Sequence, residues 1–325
     1  MLDRFPLISV IINVYKERLD WIREAVESIL TQDYTNVELI IVVDNPHIDN
    51  SVQDYLDNLQ NEDQRVKIIY NEINLGTGQS ANVGISAASG EYIARLDADD
   101  ISESNRFLVE LEYIEMHDVD LVASLSIYID EDGKEIGKSK MVHEDPNLML
   151  PYENNIVHSS VLMKATVLRD VGGYRPLKSA VDADLWLRLL TNGNKMVILN
   201  NYLVRYRIRA NGITQKGRLE QYYTGRYVHL LYEERIKYGK DSFSLENLNS
   251  YLQKKKISQR KNANCVRMME LYSEAKESFG ENKIKGMWLC LRAFFVYPAQ
   301  FIRIVHHSLK KRAFKKKIEG VIYND

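Results

Sequence analysis

Residues 91–100, EYIARLDADD, join a short apolar segment to a turn that carries three carboxylates. The segment 91–96 is typical of a buried strand. Three carboxylates within four positions repel one another unless a positive charge lies between them. At the carboxyl end of a strand in an open α/β sheet, Asp97 and Asp99 are therefore expected to hold Mg²⁺ or Mn²⁺ with a phosphate-bearing ligand. Taken alone, the turn also fits a solvated acidic loop, or a helix cap formed by Asp99 or Asp100.

Strand and helix patterns alternate through the first two thirds of the chain. Nearly unbroken apolar runs predict strands that are buried on both faces of a parallel sheet. The predicted strands cover residues 7–14, 37–43, 66–70, 91–96, 121–129, 158–164 and 202–208, and helices are predicted from a cap at Asp20, over 79–88 and over 184–190. Short connections favour right-handed crossovers and a doubly wound sheet. Its ligands would bind beyond the carboxyl ends of the strands, where Tyr15, Asp44 and Asp97 fall.

Composition excludes several classes of protein. The chain has 325 residues, 45% hydrophobic and 27% charged, which is ordinary for a globular protein and excludes global disorder. A net charge of −2 gives no bias toward nucleic acid, so no nucleic-acid partner is expected. Cys265 and Cys290 form neither a zinc site nor a disulfide framework, which fits a reducing compartment. Because the first residues lack a signal-peptide pattern, the expected location is cytoplasmic.

The pattern changes near residue 215, after which only helices are predicted. We therefore expect one domain over residues 1–215 and a helical extension over 216–325. Residues 287–305 are aromatic and aliphatic but are interrupted by Arg292, Pro298 and Arg303, so they are too broken to span a bilayer. Two interpretations remain open. Residues 287–317 either contact an anionic membrane peripherally, at the inner face of the cell membrane, or form an amphipathic helix that covers the first domain.

One motif suggests a different enzyme. Gly76-Thr77-Gly78-Gln79-Ser80-Ala81 fits G-x-G-x-x-A, follows a strand and opens a helix, with Asp97 about 20 residues later. This pattern favours an NAD-dependent oxidoreductase. However, the motif follows the third strand rather than the first, and three residues separate it from that strand. A ribose hydroxyl also needs one carboxylate, whereas the turn offers three.

A further set of segments occurs in a recognisable order between residues 7 and 212. They are SVIINVYKE (9–17), EAVESILTQDY (24–34), IIVVD (40–44), NLG (74–76), NVG (82–84), GGY (172–174) and DADLWLRL (182–189). This ordered set resembles glycosyltransferase family 2, the inverting enzymes that build bacterial surface polysaccharides. The resemblance implies a GT-A fold, which is α/β with a doubly wound, mostly parallel sheet flanked by helices, here with a C-terminal helical extension.

The resemblance also implies an activity and a set of site residues. A sugar would pass from a nucleotide-sugar donor, UDP-linked, to a glycan or lipid-linked glycan acceptor in capsule, O-antigen or exopolysaccharide synthesis. A hexosyl or N-acetylhexosaminyl group would be transferred with Mg²⁺ or Mn²⁺ bound by Asp97 and Asp99. Asp182 would be the catalytic base. Helix capping is the alternative role for Asp182 or Asp184, and it is favoured for Asp184. The residues implied to contact the nucleotide sugar are Tyr15, Glu17, Asp44, Gly76, Asp97 and Ala98.

The chain departs from the family pattern at several positions. Asn45 replaces an aspartate that often reads uracil, and Val181 replaces the glutamate before the base. Arg209 stands where the family often has a histidine. Arg207 and Arg209 are further candidates, either as phosphate ligands or as surface residues, and His158 is a further candidate at the acceptor side. A nucleotidyl-transfer enzyme and a non-catalytic nucleotide-sugar-binding subunit remain alternatives.

Overall fold

The computed structural model describes residues 5–141, 145–209 and 217–322 of the chain, without the side chains of residues 311 and 315–322. Contacts within the chain divide it into two compact units. Unit 1 comprises residues 1–210 and 228–242, and unit 2 comprises residues 211–227 and 243–325. The predicted boundary near residue 215 stays a prediction.

Unit 1 is built on one mixed sheet of nine strands in the described part of the chain. The strands are β1 Ile8–Val14, β2 Val37–Val43, β3 Val66–Tyr70, β4 Tyr92–Asp97, β5 Ile101–Ser102, β6 Leu121–Ile129, β7 Glu135–Lys138, β8 Leu162–Lys164 and β9 Met196–Arg207. Their order is β3-β2-β1-β4-β8-β6-β9-β5, with β7 beside β6. Strands β3, β2, β1, β4, β6 and β9 run in one direction, whereas β5, β7 and β8 oppose them. The predicted mostly parallel sheet is confirmed.

Helices lie along both faces of this sheet. The helices of the chain are α1 Leu19–Leu30, α2 Asn50–Glu62, α3 Thr77–Ala87, α4 Arg106–His117, α5 Ala165–Asp170, α6 Val181–Thr191, α7 Arg218–Tyr238, α8 Leu245–Lys254, α9 Gln259–Glu281, α10 Lys283–Val296 and α11 Pro298–Ile322. Val10 and Ile12 of β1 belong to a core shared with α1, α2 and α4. Ile11 points to the other face, where an added Cβ on Gly84 of α3 would come within 2.7 Å of its side chain. Only glycine therefore lets α3 pack this close to β1.

Two predicted strands needed correction. Residues 158–164 were predicted as one strand, but His158–Ser160 form a 3₁₀ turn and only Leu162–Lys164 form β8. The turn is held by the Ser160 amide, which donates to the Val157 carbonyl oxygen. The late strand, predicted to begin at residue 202, begins at Met196, because it pairs with the whole length of β6.

The first helix begins differently from the prediction. Asp20 was expected to cap it, but α1 begins at Leu19 and its N-cap residue is Arg18, without a side-chain cap. The Asp20 carboxylate instead pairs with the Arg18 guanidinium. The acidic side chain therefore lies inside the first turn, where the helix dipole favours a negative charge.

Unit 2 is helical in its described residues. Its core joins side chains of α7, α9 and α10, namely Leu219, Tyr223, Cys265, Met268, Leu271, Ala275, Leu289 and Ala293. Residues 287–305, considered above as one helix, form parts of two helices. Proline has no amide hydrogen and suits the first turn of a helix, so Pro298 starts α11 where α10 stops. Among the residues that the structure describes, no helix has the length and apolar character needed to cross a bilayer.

Candidate active site

The carboxyl ends of three parallel strands bring the predicted binding residues to one edge of the sheet. Strand β1 pairs with β2 on one side and β4 on the other, so Asn13 lies opposite Val42 and Asp97. Tyr15, Asp44 and the acidic turn 97–100 follow these strand ends directly. The register of the sheet thus confirms that these residues share one edge, as expected for a ligand site in an open α/β sheet.

Asp97 and Asp99 have different surroundings. The Asp97 side chain is 36% exposed, and its Oδ1 lies 3.5 Å from Nη2 of Arg95 and 3.8 Å from Nδ1 of His158. Asp99 is nearly buried, and its Oδ2 lies 2.8 Å from Nε of Arg209. Burial, and then the charges of Asp97 and Glu17, raise the pKa of Asp99 to about 6, although Arg209 lowers it. Arg95 and Arg209 are thus positive charges that lie beside these two carboxylates.

Asp100 has a structural role. Its side chain is buried, and its two oxygen atoms accept hydrogen bonds from the Ser159 hydroxyl and the Arg207 amide. Burial and the neighbouring carboxylates of Asp99 and Asp97 raise the pKa of Asp100 well above its usual range. The alternative that Asp99 or Asp100 caps a helix is wrong, because α4 begins only at Arg106.

The donor set of the acidic turn fits a hard divalent cation. Carboxylate oxygens are the ligands that Mg²⁺ and Mn²⁺ prefer, and Asp97 is open to solvent. At Asp99, the guanidinium of Arg209 already supplies one positive charge. In the described residues, no cluster of three or more His, Cys, Asp and Glu side chains is arranged to hold a metal ion. Metal binding by Asp97 and Asp99 therefore stays a prediction.

Asp44 anchors the loop that leads into α3. Its Oδ1 accepts hydrogen bonds from the Asn71 side chain and the Leu75 amide, and its Oδ2 accepts one from the Gly76 amide, each at 2.8 Å. Gly76 has a φ of 79°, a left-handed conformation that favours glycine. Asp44 and Gly76 are thus brought together, and their shared contact shapes the rim of the site. Direct contact of either residue with a nucleotide stays a prediction.

The loop after β1 is also held by its own side chains. Oε2 of Glu17 accepts hydrogen bonds from the amides of Tyr15 and Lys16. The Asn45 side chain donates to the carbonyl oxygen of Tyr15 at 2.8 Å. Asn45, which departs from the family pattern, therefore ties the ends of β1 and β2 together. Ala98, within the acidic turn, is buried.

Asp182 lies in the first turn of α6 with partial exposure. The Asn154 amide donates to its Oδ2 at 2.6 Å. Burial, and then the charge of Arg95, lower the pKa of His158 below its ordinary value, although the charges of Asp97 and Asp182 oppose this shift and favour a higher pKa. Nε2 of His158 lies 2.7 Å from the Tyr174 hydroxyl. His158 thus links the acidic turn, through Asp97, to Tyr174.

Asp184 does not cap α6, contrary to the prediction. The N-cap residue is Ala180, in a left-handed conformation, and Asp184 lies one turn into the helix. Its buried carboxylate pairs with Nε of Arg188 at 2.8 Å and with Nη1 of Arg175 at 3.4 Å. Arg188 also donates to the carbonyl oxygens of Val171 and Gly173. The pair Asp184–Arg188 therefore fixes α6 against the preceding loop.

Arg207, which ends β9, and Arg209, two residues later, differ in exposure and in contacts. Arg207 is buried, and its guanidinium donates to Glu24 and to the backbone carbonyl oxygens of Asp99, Asp130 and Glu131. These contacts are structural and hold the acidic turn in place. The Arg209 side chain is 27% exposed and lies beside Asp99. Arg209 is therefore the arginine that faces the site.

Sequence reasoning missed several residues that complete the site. Asn154 orients Asp182, and Tyr174 bonds His158. The Tyr174 backbone is held in turn by the Asn82 side chain, which bonds both its amide and its carbonyl oxygen. The segments NVG and GGY contain Asn82 and Tyr174, so the sequence signal existed but did not indicate their contact. No spacing signal marked Asn154, which lies in a loop.

Comparison with known proteins identifies the family. The model of glycosyl transferase family 2 matches residues 9–170. An uncharacterized glycosyltransferase of Methanocaldococcus jannaschii is 35% identical over 227 residues, which are 67% of this chain and 78% of that protein. The O-antigen biosynthesis glycosyltransferase WbnJ of Escherichia coli is 32% identical over 228 residues, 68% of this chain and 87% of that protein. The chain therefore belongs to glycosyltransferase family 2.

A solved structure supports the fold. The structure of S. aureus TarS 1–349 in complex with UDP-GlcNAc has a TM-score of 0.58 and 16% sequence identity, and the match covers 96% of this chain and 91% of that one. At this identity the likeness concerns the fold alone. The mostly parallel sheet with flanking helices and a C-terminal helical region is a GT-A fold, as the sequence predicted.

Proposed function

We propose that this glycosyltransferase is an inverting, metal-dependent enzyme that transfers a sugar from a UDP-linked donor to a glycan or lipid-linked glycan acceptor. One observation carries the proposal. A Cβ added to Gly78 would lie 3.1 Å from the side chain of Val181, so the start of α6, which carries Asp182, packs against the start of α3 next to Gly76. This contact supports a role for Asp182 as a base beside the residues proposed to bind the donor.

Asp182 is the proposed base. Inversion requires removal of a proton from the acceptor hydroxyl on the side of the sugar opposite the leaving group. The Asn154 hydrogen bond restricts rotation of the Asp182 carboxylate, and partial exposure leaves it accessible to an acceptor. Asp184 is excluded from this role because it is buried in an ion pair with Arg188.

Asp97 and Asp99 are the proposed metal ligands. When bound, Mg²⁺ or Mn²⁺ would supply positive charge where the departing diphosphate develops negative charge. Arg209 lies beside Asp99 and adds a permanent positive charge at the same place. Asp44 orders the loop at Gly76 and Glu17 orders the loop at Tyr15, and both loops would border the proposed nucleotide site.

The relatives support the donor and the pathway. The TarS structure is a complex with UDP-GlcNAc, which favours UDP as the nucleotide and a hexosyl or N-acetylhexosaminyl group as the sugar. The E. coli relative is an O-antigen biosynthesis glycosyltransferase, which favours a role in surface polysaccharide synthesis. The proposed location is cytoplasmic, at the inner face of the cell membrane.

The proposal is tested with a panel of sugar nucleotides. The full chain is incubated with each donor in Mn²⁺, Mg²⁺ or excess chelator, and the released nucleoside diphosphate is measured. Release from a UDP-sugar that requires metal and is lost in Asp182→Asn supports the proposal. Thermal stabilisation by NAD without metal would favour the oxidoreductase alternative, and release of pyrophosphate would favour nucleotidyl transfer. Donor binding without turnover with any tested acceptor would favour a non-catalytic subunit.

A further inference from the structure

The outward face of α10 is apolar along its whole length. Five of its large apolar side chains are between 54% and 77% exposed, namely Ile284, Met287, Trp288, Leu291 and Phe295. Their spacing of three and four residues places them on one stripe of the helix. The opposite stripe, with Gly286, Leu289 and Ala293, is buried. An ordinary surface helix turns a polar face to water, whereas α10 turns an apolar one.

The surroundings of this stripe are strongly cationic. Between Glu281 and Glu319 the sequence contains ten lysines and arginines and no aspartate or glutamate. The Arg292 guanidinium lies 4.6 Å from the centre of the Trp288 ring, at the border of the stripe. On α11, Lys310 and Arg312 are exposed. The side chains of Lys311 and of Lys315 to Lys317 lie outside the described residues.

Helix α11 repeats the same combination. Ile302 and Leu309 are spaced by two helical turns and are 57% and 56% exposed. Their separation of seven residues places them on one side of the helix. Two successive helices of unit 2 thus expose apolar side chains among cations, of which Lys285 pairs with Glu274 of α9 at 3.7 Å. A single isolated apolar residue would need no explanation, but a repeated stripe indicates a partner.

We infer that the outward face of α10, together with the cations of α11, is a docking surface for an anionic lipid bilayer. Such a helix lies in the plane of the interface, with its apolar side chains among the acyl chains and its cations at the headgroups. A second copy of the chain fits less well, because symmetric pairing would bring like charges together. A nucleic acid would bind the cations but leave the apolar stripe in water.

The chain carries a reporter for this contact. It has three tryptophans, of which Trp21 and Trp186 are buried and Trp288 is 56% exposed. Insertion of the stripe into a bilayer should therefore shift the emission of Trp288 to shorter wavelength. The full chain is mixed at low salt with vesicles of phosphatidylcholine alone, or of phosphatidylcholine with phosphatidylglycerol. We expect co-sedimentation and the emission shift with the anionic vesicles.

Two variants separate the apolar and electrostatic contributions. Leu291→Gln with Phe295→Gln keeps the reporter and changes two exposed positions, so the fold should persist while vesicle affinity falls by at least about tenfold. Lys310→Glu with Arg312→Glu should weaken binding to anionic vesicles and make the remainder less sensitive to salt. Met116→Gln, at a position 70% exposed in unit 1, is the matched control and should bind as the parent does.

The inference is overturned by any of three results. One is the absence of co-sedimentation with anionic vesicles at low salt. Another is binding that the Leu291→Gln, Phe295→Gln variant retains in full. The third is a dimer of the parent protein that light scattering detects without lipid and that the same variant no longer forms. The stripe would then serve self-association. None of these measurements depends on the proposed sugar transfer.

Discussion

The side-chain amide of Asn154 donates a hydrogen bond of 2.6 Å to Oδ2 of Asp182. This bond joins a loop to the first turn of α6, and it restricts the orientation of the carboxylate that we propose as the base. The pair therefore keeps the Asp182 carboxylate oriented, as a general base requires.

The proposed base is tested by Asp182→Asn, a nearly isosteric change that removes basicity. Donor binding should persist because Asp182 is not among the diphosphate-binding residues. Sugar transfer should fall by about 10²-fold or more, the usual scale for loss of a general base. Steady-state transfer and donor affinity are measured on the same preparation. Unchanged transfer would require another base.

Asp184→Asn, unlike Asp182→Asn, should lower the stability of the protein. Asp184 is buried and paired with Arg188, so its replacement leaves a buried guanidinium without its carboxylate partner. The free energy of unfolding should fall by roughly 3–5 kcal/mol. Urea denaturation measures this loss, with Asp182→Asn as the matched control two residues away. Equal stability of the two variants would contradict the assignment of a structural role to Asp184.

Much of the fold could be predicted because its strands are buried on both faces. The runs at 7–14, 37–43 and 91–96 are apolar at most positions on both faces, which favours a central position in a parallel sheet. The extent of β9 was not predictable in this way. Its first half includes Asn200 and Asn201, which are exposed, and pairing with β6 rather than local pattern makes this segment a strand.

The site was predictable where chain order alone places a residue at a strand end. Asp44 follows β2 directly and Asp97 is the last residue of β4, so the sheet brings them to one edge. Contacts between distant loops were not predictable. Arg207 bonds Glu24, 183 residues earlier in the chain, and Asn154 bonds Asp182 through loop geometry that no periodicity records. The burial of Arg207 also depends on tertiary structure and was not predictable. It favours a structural role for Arg207 over a phosphate-binding role.

Asp99→Ala tests the metal site. The change should abolish the metal-dependent part of nucleotide diphosphate binding, measured by calorimetry with Mn²⁺ and with chelator. Stability should not fall, because removing one of several crowded carboxylates relieves repulsion. Asp54→Ala, on the exposed side of α2, is the matched control. Metal-dependent binding equal to that of the parent would exclude Asp99 as a ligand.

Arg207→Lys should lower the stability of the protein, whereas Arg209→Lys should weaken donor binding. A lysine at 207 cannot reach Glu24 and three carbonyl oxygens at once, so the free energy of unfolding should fall by roughly 2–3 kcal/mol. A lysine at 209 keeps the charge and should leave stability within about 1 kcal/mol. Its effect should appear as a higher KM for the donor. The reverse pattern would assign the phosphate contact to Arg207.

The last prediction concerns Glu38, which holds the turn before β4. Its Oε1 accepts hydrogen bonds from the Ser9 hydroxyl, from the amide and hydroxyl of Ser89, and from the Gly90 amide. Partial burial raises the pKa of Glu38, but these hydrogen bonds outweigh it and lower the pKa below its ordinary value. A carboxyl whose pKa is lower in the folded state stabilises the protein above its unfolded pKa, about 4.3.

This stabilisation is lost as the pH falls through the lowered folded pKa of Glu38. Glu38→Gln should therefore be less stable than the parent at neutral pH, and the difference should shrink progressively below about pH 4.3. Urea denaturation of both proteins across this range gives the difference at each pH. Glu62→Gln, at an exposed position of α2, controls for the loss of one surface charge. A difference that stays constant down to the lowest accessible pH would show that Glu38 acts through its shape rather than its charge.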